Sequence, residues 1–322
     1  MPAPKPLLEV RHLAVEYRTP RGPVRAVDDV SFTLGPGEVF GLAGESGSGK
    51  STIAHALLRL LHPPAVITGG QVLYEGTDLL DLTPAELERV RWREIAMVFQ
   101  SAMNALNPVM TIGAQISDVL RHHLQLSAAA ARARAAELLE VVGIAPSRLD
   151  AYPHQLSGGM RQRAVIAIAL ALQPPLIIMD EPTTALDAVV QRDILQQIAA
   201  LQAQFGFSVI FITHDLSLLI EFATRIAIMY AGEIVELAPA RALFEQPLHP
   251  YTQGLMNSFP PLTGPKQKLV GIGGTPPDLR TPPSGCRFHP RCAQVQPMHT
   301  QVVPRLREVA PGHFVACHLY SP

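Results

Sequence analysis

The stretch Gly44-Glu45-Ser46-Gly47-Ser48-Gly49-Lys50-Ser51-Thr52 decides how the rest of the sequence is read. Its spacing is G-x-x-x-x-G-K-S, and its flanks fit. Before it, Val39-Phe40-Gly41-Leu42-Ala43 is a short apolar run suited to a buried strand. After it, Ile53 to Leu61 reads as a helix ending at His62-Pro63-Pro64. Strand, glycine-rich loop and helix in that order give the pattern a mechanism. The glycines let successive backbone N–H groups turn inward as a nest for phosphate oxygens. The helix adds its positive N-terminal end to the same spot. Lys50 is placed to reach β- and γ-phosphates, and the Ser51 hydroxyl to ligate Mg²⁺. A glycine-rich turn with a chance lysine would not carry both flanks. Gly44 through Thr52 therefore implies a nucleoside-triphosphate site.

The chain has 322 residues, 48% hydrophobic and 16% charged, with a net charge of −1. That is enough for a substantial core and for more than one domain. The near-neutral balance gives no electrostatic reason to expect a nucleic-acid partner. Met1-Pro-Ala-Pro-Lys-Pro lacks the apolar core of a signal peptide. The apolar run Ala164–Leu172 is too short to span a bilayer. The three cysteines, Cys286, Cys292 and Cys317, all fall late and do not suggest a secreted disulfide framework. The expectation is a cytoplasmic polypeptide that reaches a membrane only through partners.

Outward from the loop, Val10, Val15 and Tyr17, then Val30, Phe32 and Leu34, mark two early strands. Gln71–Glu75 and Ile95–Phe99 read as further strands, the latter delivering Gln100. Thr83-Pro84-Ala85-Glu86 is a capping box that opens a short helix to about Arg93. From about 101 to 157 the pattern turns helical, with helices over Thr111–Leu124 and Ser127–Val142, the second stopped by Gly143. Apolar strands return at Leu176–Met179 and Ser208–Ile212, separated by a helix from about Val189 to Gln204. Strands alternating with helices predict an α/β fold with a mostly parallel sheet. After Pro239 the sequence becomes proline-rich and weakly periodic, so residues 1–239 and 240–322 are expected to be separate domains.

Leu176-Ile177-Ile178-Met179-Asp180-Glu181 is an apolar strand ending in two carboxylates. Asp180 is suited to hold Mg²⁺ directly or through water, and Glu181 to act as general base for an attacking water. Leu156-Ser157-Gly158-Gly159-Met160 places an N-capping serine and two glycines at a helix start, a second phosphate-facing site. Here the sequence resembles the ATP-binding-cassette (ABC) family, whose signature is Leu-Ser-Gly-Gly. The resemblance implies a P-loop NTPase cassette with a RecA-like parallel-sheet core, an N-terminal antiparallel β subdomain and a helical insertion, followed by an irregular C-terminal extension. It also implies two cassettes facing head to tail, the signature residues Ser157, Gly158 and Gly159 of each closing over ATP held by the other. By the same resemblance Gln100 senses Mg²⁺ and water, and Asp187 of Ala185-Leu186-Asp187 lies at the cross-dimer loop. His214 contacts the γ-phosphate, and Tyr17 stacks on adenine. Catalysis would then rest on Glu181, His214 and Gln100, with ATP and Mg²⁺ bound through Ser51, Gln100 and Asp180.

Three further stretches are similar to the ATPases of oligopeptide/dipeptide and nickel permeases: Gln100-Ser101-Ala102-Met103-Asn104-Ala105-Leu106-Asn107-Pro108, His249-Pro250-Tyr251-Thr252-Gln253-Gly254-Leu255, and the Cys286–Cys292 and Cys317 segments of the tail. In that subfamily the tail commonly carries four cysteines spaced for an iron–sulfur cluster. Here His299, seven residues after Cys292, stands in one cysteine's place. The expectation is a structural 4Fe–4S cluster on Cys286, Cys292, His299 and Cys317; a zinc ion on the same ligands, or free thiols, are the alternatives.

The resemblance implies the ATP-hydrolysing subunit of an importer for short peptides, with nickel or oligosaccharides as other solutes for the same type. Implied partners are a second cassette, expected to be a paralogue, two integral membrane permease subunits and an extracytoplasmic solute-binding protein. The chain would sit peripherally on the cytoplasmic face of the inner membrane. A non-transport cassette acting on DNA or ribosomes fits less well, because DNA-repair relatives need a long coiled-coil insertion and translation-type relatives carry two phosphate loops.

Overall fold

The computed structural model describes residues 5–100, 105–184, 186–258 and 271–320. The chain folds as two compact units, one made of Met1–Gly35, Val39–Asp81 and Thr213–Pro322, the other of Pro36–Glu38 and Leu82–Ile212.

In the first unit β1 (Leu8–Thr19) and β2 (Gly22–Leu34) form a long antiparallel hairpin paired from Leu8↔Leu34 to Thr19↔Gly22, with register shifts between Val10 and Glu16. Val10, Val15, Val30, Phe32 and Leu34 are buried, as their alternation predicts. β3 (Val39–Ala43) is buried throughout and runs into the glycine-rich loop. α1 (Lys50–Leu57) ends four residues before the predicted Leu61. The reason is a Schellman closure. Arg59 takes the left-handed φ of 50°, its N–H donates to the Ala56 carbonyl and that of Leu60 to the His55 carbonyl. β4 (Ala65–Tyr74) pairs antiparallel with β1, and β5 (Thr77–Asp78) with β4, giving the order β2-β1-β4-β5.

The second unit opens with α2 (Pro84–Val90), three residues shorter than predicted but with the capping box intact: Glu86 N–H donates to Thr83 Oγ1 and Thr83 N–H to Glu86 Oε2. β6 (Ile95–Val98) is followed by α3 (Ile112–Leu124) and α4 (Ala128–Val141), capped by Thr111 and Ser127. Gly143 at φ 69° stops α4 as expected. α5 (Gly158–Ala169) packs with α3 and α4, burying Ile112, Ile116, Leu120, Ala131, Ala135 and Leu139. β7 (Leu176–Asp180), α6 (Ala188–Phe205) and β8 (Ser208–Thr213) complete it, with β6, β7 and β8 parallel. Ser101–Asn104 and Ala185 lie outside the described residues.

The chain then returns to the first unit through α7 (Leu216–Phe222), β9 (Arg225–Tyr230) and β10 (Glu233–Pro239). The proline-rich tail contains α8 (Ala240–Glu245), α9 (Pro250–Asn257), β11 (Arg307–Ala310) and β12 (His313–Val315). Within this unit the strand order is β11-β12-β10-β9-β3, β3 and β9 parallel and the rest antiparallel. The tail thus adds strands to the sheet that carries the glycine-rich loop. Among the described residues no helix is long and apolar enough to cross a membrane.

Candidate functional site: a phosphate loop braced by the C-terminal extension

The loop between β3 and α1 is squeezed on two sides. A Cβ on Gly44 (φ 148°) would lie 2.2 Å from the Met229 carbonyl oxygen, and one on Gly49 (φ 105°) 2.2 Å from that of Ala26. Only glycine fits either position. Gly49 is the N-cap of α1 and has no side chain with which to cap it. Lys50 is only 4% exposed. Its Nζ donates to the carbonyls of Gly44 and Glu45, each at 2.8 Å, and to Ser48 Oγ at 3.3 Å. The ammonium is therefore held at the mouth of the nest by loop oxygens. Ser46 and Gly47 form the apex, and Ser51 and Thr52 the first turn of α1. Tyr17, whose hydroxyl lies 3.3 Å from Thr52 Oγ1, lines an open cleft of about 250 Å³ with Ser51, Thr52, His55 and His62. The two histidines were not anticipated from the sequence. His214 is exposed between β8 and α7, directly before Asp215, the N-cap of α7.

In the second unit Asp180 is fully buried at the end of β7. Glu181 follows with a left-handed φ of 44°, a strained conformation for a side-chain-bearing residue. Its N–H bonds the Ile212 carbonyl. Its Oε2 accepts from Gln100 Nε2 at 3.1 Å and Thr184 Oγ1 at 3.0 Å. Gln100 and Glu181, far apart in sequence, are thus brought together. Ser157 N-caps α5, accepting from the Met160 N–H, with Gly158 and Gly159 in the first turn. A Cβ on Gly159 would lie 2.9 Å from Val190 Cγ1, so the start of α5 packs closely on α6. Asp187 caps α6 through the N–H groups of Val189 and Val190.

A family model described as "ABC transporter" matches residues 27–184, and one described as "Oligopeptide/dipeptide transporter, C-terminal region" matches 235–298. The oligopeptide transport ATP-binding protein OppD of Bacillus subtilis (strain 168) is 45% identical over 98% of this chain and 89% of its own length. The dipeptide transport ATP-binding protein DppD of Lactococcus lactis subsp. cremoris is 45% identical over 99% of this chain and 93% of its own. The chain belongs to the ABC transporter ATPases. Within that family it carries the oligopeptide/dipeptide-type C-terminal region. The bacterial ABC transporter cassette MJ0796, solved as a dimer, shares the fold at TM-score 0.66 and 31% identity, over 73% of this chain and 99% of that one. The same cassette has been solved as a dimer in a post-hydrolysis state bound to ADP and Pi, with TM-score 0.65. As a member of the family the chain is an ATPase that uses ATP with Mg²⁺. The hydroxyl, carboxylate and amide oxygens of Ser51, Asp180 and Gln100 are hard donors of the kind Mg²⁺ prefers.

In this ABC ATPase the extension is bonded to the phosphate loop itself. Arg291, 4% exposed at its side chain, makes a bidentate pair with Glu45, Nη1–Oε2 2.8 Å and Nη2–Oε1 3.0 Å. Its Nε donates to the Gly273 carbonyl, and its guanidinium lies 5.7 Å from the centre of the Tyr230 ring. The Glu45 N–H donates to the Tyr251 hydroxyl at 2.8 Å. Burial pushes the Tyr251 phenol well above its ordinary pKa, so it stays neutral. Arg287, in the same turn, donates to the Ala231 carbonyl and pairs with Asp28 and Glu233. Sequence reading missed Tyr251, Arg287 and Arg291. The signal was present in the arginines that sit inside the Cys286–Cys292 spacing.

The junction behind this contact is a buried carboxylate. Glu236, fully buried in β10, accepts the N–H groups of Leu248 and His249 and pairs with His313 Nε2 at 2.7 Å. His249 accepts the Tyr251 N–H at Nδ1. Complete burial lowers its pKa from 6.5 to about 4. Between those values the unfolded chain takes up a proton that native His249 refuses, so stability falls as pH drops from 6.5 towards 4. We expect the melting temperature to fall more steeply across that window in the wild type than in His249→Gln; parallel pH profiles would exclude this origin.

Cys286, Cys292, Cys317 and His299 line one small, narrow cavity together with His249, His289 and His318. The expected four residues are thus gathered in space. Burial raises the Cys286 thiol to about 11 and also raises Cys317, which keeps both protonated unless a cation compensates the thiolates. Among the described residues no three His, Cys, Asp or Glu converge as ligands of a single metal ion. His249 Nε2 is buried without a hydrogen-bond partner. His299 Nδ1 accepts the Gln296 N–H, which places the ring proton on Nε2 and leaves His299 poorly prepared to ligate. His289 Nδ1 faces the Cys286 carbonyl and must donate, which leaves Nε2 with a lone pair.

Proposed function

We propose that this ATPase powers the import of short peptides through a membrane permease. The observation that supports this best is similarity to OppD and DppD over both the cassette and its extension, 98% and 99% of the chain. We take 1–239 as the nucleotide-binding domain, with a helical subdomain from about 101 to 157, and 240–322 as the transporter-type extension. The partners are two permease subunits, a solute-binding protein and a second cassette, a paralogue of this one, and the chain is peripheral to the cytoplasmic membrane face. The test is reconstitution with the neighbouring permease genes in vesicles loaded with ATP and supplied with labelled di- and oligopeptides. Uptake dependent on ATP hydrolysis is expected; uptake of nickel chelates or oligosaccharides instead would redirect the reading.

In this proposal Tyr17 takes the adenine, and the N–H groups of residues 44–52 with Lys50 take the phosphates. Ser51, Asp180 and Gln100 would hold Mg²⁺, which neutralises phosphate charge. Glu181 accepts the proton of the attacking water, Gln100 positions its carboxylate, and His214 contacts the γ-phosphate. Ser157, Gly158, Gly159 and Asp187 serve the nucleotide held by the partner cassette. Two glycine-rich helix starts, at Gly49 and at Ser157–Gly159, support this division, because one nucleotide needs only one of them.

The thiol cavity supports a finer reading, a structural 4Fe–4S cluster on Cys286, Cys292 and Cys317 with an imidazole as fourth ligand. The orphaned buried His249 Nε2 is suited to donate to a sulfur there. Iron and acid-labile sulfide should co-purify under anaerobic conditions. Their loss in His289→Ala or in His299→Ala identifies the imidazole, and colourless, iron-free wild type removes the cluster.

A further inference from the structure

The turn Cys286-Arg287-Phe288-His289-Pro290-Arg291-Cys292 has two faces. Its cysteines line the thiol cavity, while its arginines reach the surroundings of the phosphate loop. Between them Phe288 packs edge-on against Tyr230, with ring centres 5.2 Å apart, and against Tyr251 at 5.5 Å.

Every polar group of Glu45 is engaged. The carboxylate goes to Arg291 and the N–H to Tyr251, while the carbonyl accepts from Lys50 Nζ and from the Ser48 N–H. Two of these four partners come from the extension, and a third is Lys50. Arg287 adds a second brace. It holds the Ala231 carbonyl, and the next residue, Gly232, donates its N–H to the Ser48 carbonyl at 3.1 Å. The charge has its own logic. A carboxylate in an anion-binding loop repels phosphate unless a cation compensates it, and the fixed fork of an arginine does so while fixing the loop's direction.

We propose that Arg291 and Tyr251 are positioning residues of the nucleotide site, holding Glu45 so that the phosphate loop is pre-formed for ATP. The proposal rests on the reading of residues 44–52 as the site of ATP. It makes the extension a part of that site.

The experiment measures affinity for a fluorescent ATP analogue, and KM and kcat for hydrolysis, on the full chain with its permease partners. Arg291→Ala should weaken affinity and raise KM by about tenfold to a hundredfold, with a much smaller change in kcat. Arg291→Lys should recover little, because an ammonium cannot make the bidentate pair. Tyr251→Phe keeps the ring packing and should raise KM by several-fold. Combining Glu45→Gln with Arg291→Ala should cost less than the sum of the two, since the uncompensated carboxylate is gone. A lowered melting temperature with unchanged KM and affinity in both Arg291→Lys and Tyr251→Phe would assign the contacts to stability alone and overturn the proposal. Absence of ATP binding in the wild type would instead remove the reading on which it rests.

Discussion

Glu181→Gln is expected to lower ATP turnover by about 10²–10⁴-fold while nucleotide binding is retained, because the substitution removes a general base and little else. The glutamine keeps an oxygen that can accept from Thr184 Oγ1, as Glu181 Oε2 does at 3.0 Å. The left-handed backbone at φ 44° and the Glu181 N–H bond to Ile212 do not depend on the side-chain charge. The measurement is phosphate release at saturating ATP, paired with an equilibrium binding titration. Turnover near that of the wild type would contradict the assignment of Glu181 as base. Equal loss of binding and turnover would point to collapse of the loop instead.

Lys50→Ala should act one step earlier. Charge-assisted hydrogen bonds contribute about 1.5–3 kcal/mol each, so losing a single strong contact to phosphate predicts affinity weaker by roughly 10- to 150-fold. The same substitution removes the ammonium that ties together the carbonyls of Gly44 and Glu45. A less ordered loop adds to the loss. Titration with a fluorescent ATP analogue reads this directly, and affinity within a few-fold of the wild type would show that Lys50 does not bind phosphate.

Local signals carried much of this structure. The flanks of Gly44–Thr52 pointed to β3 and to a helix after the loop, although α1 starts at Lys50 rather than Ile53. Thr83 marked the cap of α2, and the helices expected from Thr111 and Ser127 formed one residue later, with those two residues as their caps. The end of α1 was not legible, because a Schellman closure with arginine rather than glycine at the left-handed position has no compositional mark. β9 and β10 follow one another with no proline or glycine cluster between them beyond Ala231-Gly232, and the tail's β12 is only three residues long. Its partner in the sheet is set by a buried Glu236–His313 pair that no periodicity reveals. In the site, residues defined by spacing were legible: Lys50, Ser51, Ser157, Asp180, Glu181. Those defined by contact across long sequence separation, Tyr251 and Arg291 on Glu45, were not. The tail's arginines lie inside a cysteine spacing that points to metal chemistry and carries no mark of an ion pair with Glu45.

The two-faced turn at Cys286–Cys292 also obeys reciprocity. If Arg291 biases the phosphate loop towards the shape that takes ATP, bound ATP must bias the turn by the same free energy, since coupling between two sites has one value read from either side. The thiols and the nucleotide then share a single thermodynamic account. If ligation of Cys292, one peptide bond from Arg291, shifts that turn, it shifts ATP affinity too, and nucleotide occupancy then shifts the ligation by the same factor. What looks like an appendage to a motor is, in those terms, a second input to it.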